Sequence, residues 1–428
     1  MQQSTLVFYG QKINSKPNIR KLNDNIFTTY LTKQSIFRDK TVLTSQFIPN
    51  EILHRDNEIL QLSSMLAPTL RKYSASNVFI YGGVGTGKTI CVKMVLKQLN
   101  ETAIKNKINI KTIYINCKMK KVADTEYRLF AQLLNEMNEI VPDTGLPTDV
   151  LYRRFFNVID QDNQTIIIIL DEIDALVRKI GDDFLYNLTR VNSELKQARL
   201  SLIGITNNLS FSNDLDARVK SSLGEEEMIF HPYNAVQLKD ILKQRAVKAF
   251  SQDAIQDSII NKCAALAAQE HGDARRALDL LRVAGEIAER CGSAKIFEEH
   301  VDIAEQKIDL DRATETIRNQ PKQSQAVLYA ILRMNNGVKI DKKNTQRKQE
   351  LILTGDVFNE YKRICLRNNL RILTQRRVSD LINELDMLGI INAKVISKGR
   401  YGRTREISLG ITDDILDHVK KILVPIFE

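Results

Sequence analysis

Gly82-Gly83-Val84-Gly85-Thr86-Gly87-Lys88-Thr89 is the stretch on which the reading of this 428-residue chain turns. It fits the pattern GxxxxGK[ST] in full. Asn77-Val78-Phe79-Ile80-Tyr81, a short apolar strand, precedes it, and a helix is expected from Thr89 to Leu99. A glycine loop between strand and helix turns successive backbone N–H groups toward phosphate oxygens. The helix that follows adds its positive N-terminal end. Lys88 would neutralise β/γ-phosphate charge and the Thr89 hydroxyl would ligate Mg²⁺, with Ile90 completing the binding stretch. ATP or ADP with Mg²⁺ is the expected ligand.

Outward from the loop, the next decisive segment is Thr165-Ile166-Ile167-Ile168-Ile169-Leu170-Asp171-Glu172. A continuous β-branched run is what a strand buried on both faces of a parallel sheet requires. Its carboxylates would then stand at the C-terminal edge of the sheet. Asp171 would hold Mg²⁺ through water and Glu172 would polarise the attacking water. Residues 109–116 and Leu200–Thr206 read as further strands. Strands alternating with helices make an open α/β sheet. The last of these strands runs into Asn207, whose amide either orients the attacking water or belongs to an Asn-Asn turn. Between Arg55 and Tyr73 the spacing of Ile59, Leu62, Leu66 and Leu70 is helical, with Pro68 positioned to kink it.

Composition sets wider limits. Hydrophobic residues make up 43% and charged residues 27%, which suits a globular protein of two to three domains. Five cysteines are scattered without a CxxC pair, against a disulfide framework or zinc site and in favour of a reducing compartment. No signal-peptide layout is visible and no apolar run approaches the ~18 residues of a membrane span. A cytoplasmic protein without a membrane partner is expected. The formal charge is +10; from Pro321 onward 20 Lys and Arg face 12 Asp and Glu, leaving 42 against 40 before it. A basic terminal domain on a near-neutral body points to an anionic partner such as nucleic acid, or to a solvated surface.

In that basic region, residues 374–408 read as helix, turn and β-hairpin. Thr374 is a candidate N-cap, Val378, Leu381, Ile382, Leu385 and Leu388 form the apolar stripe, and Gly389 is a stop. Gln375, Arg376, Arg377 and Ser379 lie around the stripe, where a helix can enter a major groove. Strands expected at Ile390–Ile396 and Arg405–Leu409 flank a tip carrying Lys398, Arg400, Tyr401 and Arg403. With Arg405 these suit a wing pressed on phosphate or minor groove. Such wings also bind protein.

In this order the segments resemble the AAA+ ATPases, and more narrowly the archaeal origin-recognition/cell-division-cycle replication initiators. The resemblance covers about residues 40–410. It is carried by Ile48–Asp56, Gly82–Thr89, Leu170–Asp174, Gly204–Asn208, Leu215–Leu223 and Gly272–Leu280. It implies an AAA+ P-loop sheet at 46–230 with a helical insertion near 120–160, after an N-terminal arm at 1–45. A helical lid at 231–312 and a winged helix at 313–428 would follow. Asn207 falls at sensor 1, with Asn208 where the family commonly has an acid. Arg218 falls at the arginine finger and Arg275 at sensor 2, and Arg276 is read as structural. Pro49, His54 and Arg55 fall where the family lines the adenine pocket. Tyr233 and Arg245 fall where the lid approaches the nucleotide, or simply pack it. Lys88 and Asp171 lie 83 residues apart, room for the insertion that touches DNA in the subgroup, or for an ordinary long loop around Val141–Pro147. The implied function is a nucleoid-associated initiator that binds duplex origin DNA and recruits the replicative minichromosome-maintenance helicase. Slow ATP hydrolysis would act as its switch, and further copies could join on DNA. The competing readings are a nucleotide-locked DNA-binding regulator and an unrelated P-loop ATPase with an appended winged helix.

Overall fold

A computed structural model describes residues 35–118, 124–142, 145–336, 352–397 and 403–428. The chain divides into two compact units between Val301 and Asp302, inside the helix Glu298–Arg318. No helix among the described residues is long and apolar enough to cross a membrane.

The first unit is built on a parallel sheet of β1 (Asn77–Gly82), β2 (Ile110–Asn116), β3 (Thr165–Asp171), β4 (Arg199–Thr206) and β5 (Glu225–Phe230). The order is β2-β3-β4-β1-β5. Every residue of β3 is buried, because alternate isoleucines serve two cores. Ile166, Ile168 and Leu170 join the cluster on one face, and Ile167 and Ile169 the cluster on the other. The C-terminal ends of β1, β4 and β3 are neighbours, so the loop after β1 and the acids after β3 share one edge of the sheet. Ligands of open α/β sheets bind at that edge.

β5 is an addition to the four strands read from sequence. Its three glutamates mask it in sequence; β5 pairs with β1 alone and so lies at the sheet's edge, and Glu226 and Glu227 are exposed there. The helix expected from Thr89 runs from Lys88 to Lys105. The helix expected over Arg55–Tyr73 is an α-helix only at Asp56–Leu66. A 3-10 turn follows at Ala67–Arg71, with Pro68 in its first turn; proline supplies no N–H to continue the α ladder. Helices Glu126–Glu136 and Thr148–Ile159 occupy the expected insertion. Phe130 and Phe155 are fully buried with ring centroids 5.5 Å apart, so both helices belong to the layer covering one sheet face.

The lid helices Ala235–Ala249, Asp257–Gln269 and Ala274–Arg290 complete this unit. A capping box of Asn234 and Gln237 starts the first. A strap of residues 35–47 crosses them. Phe37 stacks on Phe250 at 4.9 Å, Ser251 N donates to Ile36 O at 2.8 Å, and Lys40 pairs with Glu289 at 3.1 Å.

The second unit has helices Lys322–Asn336, Thr354–Arg367, Gln375–Met387 and Asp413–Phe427, with a three-stranded antiparallel sheet. Its strands β6 (Ile352–Leu353), β7 (Ile391–Ser397) and β8 (Arg403–Leu409) lie in the order β6-β8-β7. Thr374 caps its helix by accepting from Arg377 N, and Val378, Leu381, Ile382 and Leu385 are buried. Leu388, included in the expected stripe, is 45% exposed. It is the C-cap, and Gly389 at φ 70° ends the helix there.

Candidate functional site

Gly85 and Gly87 adopt φ of 71° and 95°, the left-handed region that glycine enters without strain. This coils the loop around the end of β1. Lys88 Nζ donates to Gly82 O and Gly83 O at 2.7 Å and to Asn207 Oδ1 at 2.8 Å. Burial lowers the Lys88 pKa to about 8, against the pull of Asp171 and Glu172. The ammonium is a buried charge satisfied by borrowed carbonyls, a state that phosphate oxygens would improve.

Thr89 Oγ1 donates to Asp171 Oδ2 at 2.9 Å. A hydroxyl and a carboxylate so close form a hard-oxygen pair that fits Mg²⁺ held jointly with nucleotide phosphates. Glu172 turns the chain from β3 into the helix Ile173–Ile180 at φ 57°, a strained position for a side-chain-bearing residue. Its carboxylate lies 3.3 Å from Lys118 Nζ. Two contacts, Lys88 to Asn207 and Thr89 to Asp171, thus meet at adjacent residues of the loop, with Glu172 next in sequence to Asp171. Asn208, beside the amide, donates to Asp214 Oδ2 at 3.2 Å.

The lid reaches this loop through Asp273. Its carboxylate caps the helix Ala274–Arg290, accepting from Arg275 N at 2.7 Å, while Ala274 N donates to Gly85 O at 3.2 Å. A Cβ added to Gly85 would stand 1.5 Å from Asp273 Oδ1. Arg275 is exposed, and its charge acts on Lys88. Arg276 is buried and pairs with Glu270 at 3.0 Å.

Arg55 braces the other side. It lies 4.1 Å from the Tyr233 ring centre, donates to His231 O at 2.5 Å and pairs with Glu58 at 2.5 Å. The Tyr233 hydroxyl oxygen lies 2.8 Å from where a Cβ on Gly87 would be. His54, at φ 60°, meets Asp240 Oδ2 of the lid at 2.9 Å. Pro49 is buried, Ile90 is half-buried and Val84 is exposed. Thr86 Oγ1 closes the loop on Gly83 O at 2.9 Å.

Two expected residues lie elsewhere. Arg245 points into the strap, donating to Val42 O at 3.4 Å with Phe47 4.6 Å away, and burial lowers its pKa to about 10. Arg218 is exposed on an open groove with Tyr186, Arg190 and Ser221, paired to Asp216 at 3.1 Å.

In the second unit Gln375, Arg376 and Arg377 are exposed at the start of their helix. Arg377 reaches Glu384 at 3.3 Å. Arg405 donates to Ser379 O and Oγ at 3.0 and 3.1 Å, which fastens β8 to that helix. Arg403 begins β8 opposite Ser397. Lys398, Arg400 and Tyr401 lie outside the described residues.

Sequence reasoning missed Tyr114, Lys118 and Asp273. Asp273 carried a signal, being an N-cap residue type just before a helical run. Tyr114 and Lys118 carried none.

Comparison with known proteins agrees with this architecture. Family models match for an AAA domain at residues 71–210, the Cdc6 AAA+ ATPase-type lid domain at 239–306 and the CDC6 C-terminal winged helix domain at 315–419. ORC1-type DNA replication protein 1 of Methanosarcina mazei is 49% identical over 401 residues, spanning 94% of this chain and 93% of that one. The ORC1-type DNA replication protein of Thermococcus kodakarensis is 50% identical over 399 residues, 92% of this chain and 93% of its own. The structure of the Aeropyrum pernix ORC1 protein in complex with DNA superposes with TM-score 0.80 at 41% identity, covering 92% of this chain and 99% of that one. The chain belongs to the archaeal ORC1/Cdc6-type replication initiators, AAA+ ATPases with a Cdc6-type lid and a C-terminal winged helix.

Proposed function

We propose that this initiator binds duplex origin DNA, through its winged helix and the AAA+ insertion, and recruits and loads the replicative minichromosome-maintenance helicase. Slow ATP hydrolysis resets it, and it works in the cytoplasm at the nucleoid. DNA binding is supported by the basic second unit and by the DNA complex of the Aeropyrum pernix relative.

The contact of Asp273 and Ala274 with Gly85 carries the switch. Phosphates entering the loop act on the very residues that seat the lid, so occupancy and lid position are coupled. On ATP binding, Lys88 exchanges the carbonyls of Gly82 and Gly83 for phosphate oxygens. Thr89 and Asp171 would hold Mg²⁺, which would supply charge neutralisation on the β/γ-phosphates. Glu172 takes a proton from the attacking water, which Asn207 orients. Arg275 faces the developing charge in cis, and Arg218 serves a neighbouring copy's γ-phosphate. Glu172 leaves its ion pair with the exposed Lys118 to reach the water, at a cost below about 1 kcal/mol.

Single-turnover hydrolysis tests the reading. Glu172→Gln should retain ATP and lose turnover by about 10²–10⁴-fold. If the parent chain is as inert as the variant, the nucleotide-locked regulator replaces the hydrolytic switch.

A further inference from the structure

Asp171 Oδ2 accepts two hydrogen bonds, from Thr89 Oγ1 at 2.9 Å and from the Tyr114 hydroxyl at 2.6 Å. The second comes from β2, the neighbouring strand. Tyr114 pairs with Ile169 and Asn116 with Asp171 in the β2–β3 register, so all four project from one sheet face. That face carries the core shared with the helix Lys88–Lys105. Lys93 Nζ from the helix stands 4.5 Å from the Tyr114 ring centre.

The terminal torsion of a carboxylate side chain is broad and needs an external restraint to fix its plane. Thr89 cannot supply that restraint alone, since its hydroxyl must also serve the cation. Tyr114 holds the same oxygen from a rigid strand. We propose that Tyr114 is a positioning residue that orients the Asp171 carboxylate for Mg²⁺ before nucleotide arrives. The inference rests on reading Asp171 as the magnesium carboxylate. Partners that hydrogen-bond a metal ligand typically contribute about 10–100-fold in metal affinity.

Tyr114→Phe removes the bond and keeps the ring against Lys93. Binding of a fluorescent ADP is measured in EDTA and then across a Mg²⁺ titration, beside Asp171→Asn. The variant should bind ADP in EDTA like the parent and need about tenfold more Mg²⁺ for half-maximal enhancement. If Tyr114→Phe titrates like the parent while Asp171→Asn loses the Mg²⁺ response, the positioning role is wrong and the Asp171 reading stands. A parental Mg²⁺ response in Asp171→Asn overturns the magnesium reading and the proposal with it. Equal weakening of Tyr114→Phe with and without Mg²⁺ makes Tyr114 a packing residue and also overturns the proposal.

Discussion

Gly85 shows what a single position can decide. Its φ of 71° disfavours any side chain, and the space beyond its Cα is filled by the Asp273 carboxylate. Backbone strain of this kind costs roughly 1–3 kcal/mol. Gly85→Ala should therefore lower the stability of the ligand-free first unit by about that amount. Gly83→Ala, where a Cβ would meet Thr86 Cγ2 at 3.8 Å, should change it little. Equal midpoints for the two variants in urea denaturation would contradict the account. The glycines, Lys88, Thr89 and Asp171 were legible because phosphate and Mg²⁺ binding demand fixed residue types at fixed spacing. Tyr114 was not, because a tyrosine in a strand reads as packing until register and fold bring it to Asp171. Arg245 likewise carries no mark in sequence that its contacts run to the strap.

At the scale of elements, β3 was readable in full because burial on both faces leaves an unbroken apolar run. β5 was hidden by Glu225-Glu226-Glu227 and β6 by its length of two residues. Both exist through pairing partners distant in sequence, which a local pattern does not report. The helix Gln375–Met387 divides its work by face. Ile382 is fully buried, so Ile382→Ala should cost about 2–5 kcal/mol of second-unit stability. Arg376 is exposed, so Arg376→Ala should leave stability alone and weaken DNA binding. If Arg376 meets a phosphate, the log–log salt slope falls by about one; if it reads a base, discrimination of that base pair falls instead. Filter binding across a salt series checks both, and unchanged binding at every salt concentration would remove Arg376 from the DNA face.

Across the molecule, the charge division mirrors the division of labour. The near-neutral first part carries the nucleotide loop and the lid seated on it, and the basic excess lies after Pro321. The segments that revealed the family are the chemical ones, and they could be read one by one. The contact between loop and lid could not, since Gly85 and Asp273 are 188 residues apart and meet only in the fold. The most direct test is to map where this protein sits on its own genome in growing cells. The account predicts discrete occupancy centred on a replication origin. Occupancy spread over promoters or along the chromosome, with no enrichment at any origin, would contradict it.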